Sequence, residues 1–424
     1  MKTSTRIQLS VMMFLQYVIW GAWLPLLSLY LTKLGFDGIK IAWIQNTFAI
    51  GSVFAMFVGG QLADRYFATE KFLALSHFVG GVTMLLLPWQ KDFYLFFAIM
   101  LVHCLFYVPT LSMTNSMCFA NLKDPQKDFG FVRLWGTIGW IAVSWPFVFL
   151  LIDWKSLPEF GTVTFTQWLG KALGTAKQGT ELQNALTWIF FVAGGASIVL
   201  SLFCLTLPHT PPAKNASSKN APLEAIKLLK NPSILVLFIV TFIDAVVLYC
   251  YFFWTSPFMS TIGIPENWIM PAMSIGQIAE ILTMAVLGVF LKKLGWKKTM
   301  LIGVFGQALR FFIYSVSGPN QAWLVILSNL IHGLCYAFFF ATVYIFVDDH
   351  FPKDARTSAQ GLFNFLIVGM GPLVGNFLWG ALGNVMKSGD KIMFGKLFVV
   401  PTVLSMLAFF ILLFAFHAEQ PKKN

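Results

Sequence analysis

Charged residues are scarce in this chain. Asp, Glu, Lys and Arg make up 11% of its 424 residues, whereas 57% of the residues are hydrophobic. A soluble globule of this length needs far more polar surface to face water, so the composition excludes an ordinary soluble protein. It indicates an integral membrane protein.

Cysteines are also few, and motifs for catalysis are missing. The five cysteines have no paired spacing, which argues against a disulfide framework or a cysteine metal site. The sequence has no Walker loop, no HExxH motif, no nucleophile elbow and no paired metal ligands. We therefore expect no enzymatic activity, no cofactor and no bound metal.

Long apolar runs are what the chain has instead. A helix needs ~20 apolar residues to cross a hydrocarbon core, because every backbone polar group must be satisfied within it. We predict an all-α integral membrane fold with twelve transmembrane helices. The predicted spans are 8–31, 41–63, 73–89, 93–119, 131–152, 186–207, 233–260, 267–291, 298–317, 321–347, 357–385 and 393–416.

Basic residues predict the orientation of these spans. Most of the 29 Lys and Arg residues fall in the two termini and in the loops that follow even-numbered spans. Positive charge concentrates on the cytoplasmic side of a membrane protein, so both termini are predicted to be cytoplasmic. This placement accounts for the net charge of +11 without a nucleic-acid partner.

Two polar stretches outside the spans are long enough to matter for organisation. The linker from His209 to Asn231 is rich in Pro, Ser and Lys, which is typical of a flexible connection. In the largest outside loop, Phe165–Leu173 has Trp and Leu at helical spacing, which indicates an interfacial segment or, alternatively, a lid. We predict an N-terminal six-helix bundle, a cytoplasmic linker and a C-terminal six-helix bundle at 1–207, 208–231 and 232–424.

A short loop motif occurs once in each half. Gly60-Gln61-Leu62-Ala63-Asp64-Arg65 joins the second and third spans, and Gly288-Val289-Phe290-Leu291-Lys292-Lys293 joins the eighth and ninth. This repeat resembles the signature loop of the major facilitator superfamily, which implies a carrier of small solutes. We predict a conformational latch formed by Gly60, Asp64, Arg65, Gly288, Lys292 and Lys293. A merely topological role for the basic residues is the alternative.

Polar side chains inside the spans are the candidate functional residues. A charge near the bilayer centre costs ~2.5 to 3.5 kcal/mol on insertion scales, so each needs a partner, a cavity or a task. Gln277 and Glu280 lie three residues apart on one helix face, where they could bind hydroxyls or a heterocycle edge. Glu280 could also exchange a proton as its surroundings alternate between wet and dry. A structural hydrogen bond or a pair with Arg310 is the alternative.

Three other spans carry polar and aromatic residues at helical spacing. Arg133, Thr137 and Trp140 offer a cation, a hydroxyl and an aromatic plane on one stripe, although Arg133 could instead reach lipid headgroups. The first span has Gln16, Trp20 and Trp23 on one face, with an interfacial belt as the alternative for Trp23. The tenth span has His332 and Tyr336 one turn apart. His332 and Asp244 are candidate proton carriers or, alternatively, packing residues.

Five motifs together resemble one family. They are Leu15-Gln16-Tyr17 through Trp20-Gly21-Ala22-Trp23-Leu24, Tyr107-x-Pro109-Thr110, Arg133-x-Trp135-Gly136-Thr137-Ile138-Gly139, Ser274-x-x-Gln277-Ile278-x-Glu280 and Arg356-x-Ser358-Ala359-Gln360-Gly361. They span both halves in order and resemble the bacterial nucleoside–proton symporter family. The resemblance implies proton-coupled uptake of nucleosides across the bacterial cytoplasmic (inner) membrane by a multi-pass protein. We expect it to work as a monomer in the membrane lipid.

The resemblance also implies roles for particular residues. Nucleoside contacts carry over to Arg133, Thr137, Trp140, Gln277 and Glu280, with His332 and Tyr336 at the positions of an aromatic pair. Two features depart from the family pattern. Ala337 stands where relatives often have Asp, and Tyr249 and Phe252 appear where the family pattern has Gln and Asn. Base stacking is worth ~1 to 3 kcal/mol in other contexts, and the aromatic candidates for it are Trp20, Trp140, Tyr249, Phe252 and Tyr336.

The expected mechanism is alternating access. Two bundles rock around a midmembrane site, and Glu280, aided by Asp244 or His332, must be protonated or ligand-bound before the empty site reorients. A proton-coupled or facilitative transporter of a sugar or modified nucleoside is the first alternative, because sugars also stack on aromatic rings. A non-transporting membrane sensor is the alternative from another class.

Overall fold

The computed structural model describes residues 3–55, 68–211, 228–350, 353–389 and 391–417. The described residues are almost all helical, apart from a two-stranded antiparallel ribbon in which Lys387–Ser388 pairs with Lys391–Ile392. In chain order the α-helices are α1 Thr3–Lys33, α2 Gly38–Phe54, α3 Thr69–Leu86, α4 Phe93–Asn121, α5 Pro125–Ser144, α6 Pro146–Leu150, α7 Phe165–Gly174, α8 Gly179–Leu186, α9 Trp188–Cys204, α10 Pro232–Thr261, α11 Glu266–Val316, α12 Ala322–Cys335, α13 Thr342–His350, α14 Lys353–Asn364, α15 Gly371–Val385, α16 Phe394–Leu397 and α17 Val399–Ala415.

Shorter turns complete several of these helices. The 3₁₀ turns are Leu87–Trp89, Trp154–Ser156, Leu228–Lys230 and Pro319–Gln321. Two π-helical turns, Tyr336–Ala341 and Phe365–Met370, join α12 to α13 and α14 to α15. Such turns are rare and are often found at functional positions in helices.

Acidic residues precede the first turns of α2 and α4. The Asp37 carboxylate accepts the backbone N–H groups of Ile39 and Lys40 at 2.9 and 3.0 Å, and Asp92 accepts the N–H of Leu95 at 3.0 Å. These bonds satisfy backbone donors that have no partner in the first turn of a helix. These backbone N–H groups at the start of each helix are therefore hydrogen-bonded.

Membrane spans are the main feature of the described chain. Ten of its helical stretches are long and apolar enough to cross a membrane, so the prediction of a helical multi-pass protein is confirmed. One stretch, Glu266–Val316, has 51 residues, which is enough for two crossings. Part of the predicted span 41–63 lies outside the described residues, and the count of twelve stays a prediction.

The C-terminal copy of the loop motif is helical over most of its length. Helix α11 continues through Gly288, Lys292 and Lys293, and the chain bends at Gly295, whose φ of +74° is a left-handed value. Glycine adopts this conformation without strain, because it has no Cβ. The bend therefore lies between the predicted spans 267–291 and 298–317. A methyl group at Gly288 would meet open space among the described residues.

The other copy of the motif and most of the linker cannot be compared with the structure. Gly60, Asp64 and Arg65 lie outside the described residues, as does 212–227 of the linker. The latch stays a prediction.

The chain forms two compact units. One unit comprises Met1–Ala216 with Ser256–Ser274, and the other comprises Ser217–Thr255 with Ile275–Asn424. Within the first unit the largest buried side chains include Trp23, Tyr30 and Tyr107. The second has a core of aliphatic and aromatic residues along α10, α11, α13 and α17, with Phe338, Phe339 and Phe340 in the π-helical turn before α13.

Candidate functional site

Glycines bring α1 and α5 into backbone contact in the first unit. A methyl group at Gly139 would collide with the backbone carbonyl of Phe14, and one at Gly21 would lie 3.1 Å from the Cα of Trp140. Small residues at such a crossing let two membrane helices approach closely. The candidate stripe on α5 is thereby held directly against the candidate face of α1.

The two stripes share an aromatic cluster. The ring of Trp20 lies 5.3 Å from that of Trp140 in an edge-to-face arrangement, and it stacks on Phe48 at 4.8 Å. Edge-to-face and stacked pairs are the favoured geometries for aromatic rings. The structure therefore brings together Trp20 and Trp140, which were predicted from separate spans. Phe48 on α2 was missed, because a lone Phe in an apolar run carries no signal.

The predicted cation lies over an aromatic face. The guanidinium carbon of Arg133 is 4.1 Å from the centroid of the Tyr17 ring, and both residues are half-buried. A cation at this distance is attracted by the ring's negative face. This contact holds Arg133 against the protein, which argues against the alternative of a side chain that only reaches lipid headgroups. Thr137, one turn further along α5, is also half-buried.

Gln16 is tied to α4. Its side-chain amide donates to the hydroxyl of Thr110 at 2.8 Å, and its backbone carbonyl accepts from the Tyr107 hydroxyl at 2.7 Å. The residue is fully buried. This geometry favours a supporting role for Gln16 rather than an open ligand position.

A buried histidine pair in the same unit was missed by sequence reasoning. His77 and His103 are both fully buried, and Nδ1 of His103 lies 3.0 Å from the carbonyl oxygen of Gly80. The His103 ring stacks on Tyr107 at 5.3 Å and meets Trp23 edge-on at 6.2 Å. Trp23 is therefore a core residue and not part of an interfacial belt.

Glycines also join α11 to α12 in the second unit. A methyl group at Gly276 would lie 2.9 Å from the ring of His332, and one at Gly333 would collide with the backbone at Ala279 and Glu280. His332 thus lies beside the turn of α11 that carries Gln277 and Glu280. The sequence predicted His332 and the pair Gln277 and Glu280 from separate spans, and the structure shows that they are neighbours.

Aromatic residues surround His332. Its imidazole stacks on the Tyr251 ring at 4.3 Å and meets Phe252 edge-on at 6.1 Å, and Phe252 lies 6.0 Å from Tyr249. Three predicted residues, His332, Phe252 and Tyr249, therefore form one cluster. Tyr251, which lies at its centre, was missed because adjacent aromatic residues on α10 gave no hint of which one faces inward.

Tyr336 begins the π-helical turn after α12. Its ring lies 5.8 Å from that of Phe340, and the residue is half-buried. Gln277 and Glu280 are likewise half-buried, and the carbonyl oxygen of the Gln277 side chain has no protein partner among the described residues. These three side chains thus keep partial access to their surroundings.

Two charged residues are fully buried in the second unit. Arg310 on α11 contacts Nδ1 of His332 through one Nη group and donates to the side-chain oxygen of Gln307 at 2.8 Å through the other. Arg310, which the sequence suggested as a possible ion-pair partner for Glu280, therefore contacts neutral side chains instead. Asp244 on α10 has no partner for either carboxylate oxygen within the described part of the chain.

The described residues hold no cluster of three or more His, Cys, Asp or Glu side chains that could bind a metal ion. In each unit the candidate groups are instead ring faces, amides, hydroxyls and a few ionisable side chains. Such groups can bind a small polar molecule that has a flat apolar part.

Curated relatives cover most of the chain. The putative nucleoside transporter YegT of Escherichia coli (strain K12) is 34% identical over 391 residues, which is 90% of this chain and 85% of that protein. The xanthosine permease and the nucleoside permease NupG of the same organism are each 28% identical, over 89% and 88% of this chain and 87% of their own length.

Solved structures share the fold. A crystal structure of the nucleoside transporter NupG has a TM-score of 0.82 and 24% identity, covering 99% of this chain and 100% of that one. A D-xylose–proton symporter has a TM-score of 0.70 at 13% identity, covering 99% of both chains. The fold is that of transporters of the major facilitator type, as predicted.

The family match extends along nearly the whole sequence. Residues 1–168 and 157–421 match the family described as nucleoside H+ symporter. The relatives and structural neighbours are transporters, so the prediction of a transporter rather than an enzyme is confirmed. The resemblance inferred from five short motifs is confirmed as well: this chain belongs to the nucleoside H+ symporter family.

Proposed function

We propose that this protein takes up nucleosides together with protons by alternating access. One observation carries the proposal: in the first unit an aromatic surface, Trp20 with Trp140, lies on the same two helices as the cation Arg133 over Tyr17. A nucleobase needs a flat apolar surface and polar groups at its edge, and this set supplies both. The family match supports the same substrate class.

The proposed roles follow the chemistry of each side chain. Trp20, Trp140, Tyr249, Phe252 and Tyr336 offer stacking surfaces. The polar contacts to base and ribose come from Arg133, Thr137, Gln277, Glu280 and His332, with Gln16 supporting α1 against α4. Glu280 exchanges the coupled proton, and Asp244 and His332 assist it. Gly60, Asp64, Arg65, Gly288, Lys292 and Lys293 remain the proposed latch.

The proposal also specifies the number of membrane helices, their division into bundles and the side on which the termini lie. Twelve helices cross the bacterial inner membrane in two bundles, 1–207 and 232–424, joined by a linker at 208–231, and both termini are cytoplasmic. The distribution of Lys and Arg supports this orientation. We propose a monomer as the working unit.

Uptake into proteoliposomes tests the function. We expect radiolabelled uridine, adenosine or xanthosine to accumulate when the outside is made more acidic than the lumen. Unlabelled nucleosides should compete, and D-xylose should not. If no nucleoside enters or competes while a sugar does, the nucleoside proposal is wrong and the sugar alternative takes its place.

The proton role of Glu280 has its own test. Glu280→Gln keeps the size and polarity of the side chain but removes the ionisable proton, so gradient-driven accumulation should fall at least tenfold while nucleoside exchange persists. Glu159→Gln, at an exposed position, is the matched control. Accumulation by Glu280→Gln at the wild-type level would assign the coupled proton elsewhere.

A further inference from the structure

A buried cation in the second unit has only neutral partners. Arg310 is fully buried, its Nη groups contact His332 and Gln307, and its guanidinium lies over the rings of Tyr251 at 4.5 Å and Phe311 at 4.9 Å. Among the residues that the structure describes, no carboxylate lies within ion-pair distance of it. A buried guanidinium without a counterion is costly, because its lost hydration is only partly replaced.

The contact with His332 defines the state of that histidine. A guanidinium has only N–H donors, so Nδ1 of His332 must accept. The imidazole is then neutral and carries its proton on Nε2. In this arrangement Arg310 fixes both the tautomer and the orientation of a ring that lies against Gly276 and Phe252.

Asp244 is the buried carboxyl group that could serve as the counterion of Arg310. It is fully buried, and neither oxygen has a hydrogen-bond partner within the described part of the chain. An ionised carboxylate without any donor is far more costly to bury than a carboxylic acid. The geometry therefore favours the protonated, neutral form of Asp244. Asp244 lies two turns before Tyr251 on the same face of α10, and the Arg310 guanidinium lies over the Tyr251 ring.

We propose that Arg310 is a two-position cation that senses the proton on Asp244. While Asp244 is protonated, Arg310 holds Nδ1 of His332. When the O–H bond breaks and the proton leaves to water, the carboxylate keeps the electron pair and attracts the guanidinium. Arg310 then releases His332, whose ring is free to turn.

This inference rests on the proposed function, because it explains how a proton changes the substrate site. His332 lies beside the turn that carries Gln277 and Glu280, so its release alters the surface offered to the nucleoside. Arg310 is a positioning residue that acts through His332. The other ionisable groups that face Arg310 are all neutral in their ordinary state, namely Tyr251, Tyr314, Cys250 and Cys335.

Nucleoside exchange measured at several pH values tests the inference. Asp244→Asn mimics the protonated acid, so exchange should continue without pH dependence, and gradient-driven accumulation should fall at least tenfold. Arg310→Gln should raise the KM for exchange several-fold and remove its pH dependence. Asp349→Asn, an exposed carboxylate in the same unit, is the control and should behave as wild type.

A double variant, compared at a pH where Asp244 is ionised, guards against loss of folding in Arg310→Gln, because at that pH the single variant leaves a buried carboxylate without its cation. Asp244→Asn combined with Arg310→Gln removes both charges, so its thermal stability should recover toward wild type and its exchange should be independent of pH. A double variant no more stable than Arg310→Gln alone would refute the mutual dependence of the two charges.

The outcomes separate this inference from the proposed function. If wild-type protein moves no nucleoside, or ignores a pH gradient, the proposed function fails. If wild type is proton-coupled but Asp244→Asn still accumulates nucleoside, or Arg310→Gln keeps the wild-type pH profile, the two-position cation alone is overturned.

Discussion

Arginines within the apolar spans lie over aromatic faces. Arg133 is 4.1 Å from the Tyr17 ring and Arg310 is 4.5 Å from the Tyr251 ring. A guanidinium is delocalised and more weakly hydrated than an ammonium, so a ring face offsets part of its desolvation without an opposing charge. Lysine at either position would lose this planar contact while keeping the charge.

The first prediction concerns the cation on α5. Tyr17→Leu removes the ring beneath Arg133, and a cation–π contact is worth ~0.5 to 2 kcal/mol, so nucleoside affinity should fall about two- to thirtyfold. Isothermal titration calorimetry in detergent measures this change. Phe131→Leu is the control, because Phe131 lies under Arg6 at 4.3 Å, outside the predicted site. Equal affinity in wild type and Tyr17→Leu would show that the placement of Arg133 does not matter for binding.

At the scale of helices, glycine contacts decide which faces meet. Gly139 lets α5 approach α1, and Gly333 lets α12 approach α11, each at a point where an added methyl group would collide with backbone. Backbone cannot move aside as a flexible side chain can. These two crossings therefore set the position of Trp140 against Trp20 and of His332 against Gln277.

The second prediction tests one of these crossings. Gly333→Ala overfills the contact between α12 and α11, and overpacking costs ~1 to 3 kcal/mol, so the thermal unfolding midpoint in detergent should fall. Gly195→Ala is the matched control, since a methyl group there meets open space and alanine favours a helix. A Gly333→Ala midpoint at or above that of Gly195→Ala would contradict the close crossing.

The third prediction concerns helix α7. Its last turn is held by two donors from the start of α11: Asn267 and Trp268 donate to the carbonyl oxygen of Leu173 at 3.1 and 2.8 Å. This contact anchors the end of α7 to the start of α11. Trp268→Phe removes one donor, so amide exchange across Phe165–Gly174 should become faster, as measured by mass spectrometry.

The matched control is Trp188→Phe, at an exposed indole on α9. It should leave exchange in α7 unchanged. Slower or unaltered exchange in the Trp268→Phe protein would mean that the indole donor does not secure α7.

Helical spacing was sufficient to predict which residues share a face. The helical repeat alone predicted that Gln277 and Glu280 share one face. It also predicted that Arg133, Thr137 and Trp140 form one stripe. Contacts between distant spans could not be read in this way. The contact of Arg310 with His332, the buried pair of His77 and His103, and the bend at Gly295 depend on how helices pack, and no local pattern records that.

At the scale of the whole molecule, hydropathy indicates where the chain crosses the membrane, and charge indicates in which direction. Apolar runs make ten described stretches long and apolar enough to cross a membrane, and the Lys and Arg residues of the loops predict their direction. The few ionisable groups left inside the apolar stretches are therefore the ones available for coupling. Energy for uptake then comes from the proton that crosses with the substrate.

The fourth prediction concerns that energy. One proton moving through 100 mV gains ~2.3 kcal/mol, which is enough to concentrate a neutral nucleoside about fiftyfold at equal pH on both sides. Proteoliposomes with a potassium diffusion potential, negative inside, should therefore accumulate labelled uridine to a ratio that rises with the imposed potential. Asp244→Asn and Glu280→Gln should equilibrate near a ratio of one. A wild-type ratio that stays near one at every potential, with equilibration intact, would show that no charge moves with the nucleoside.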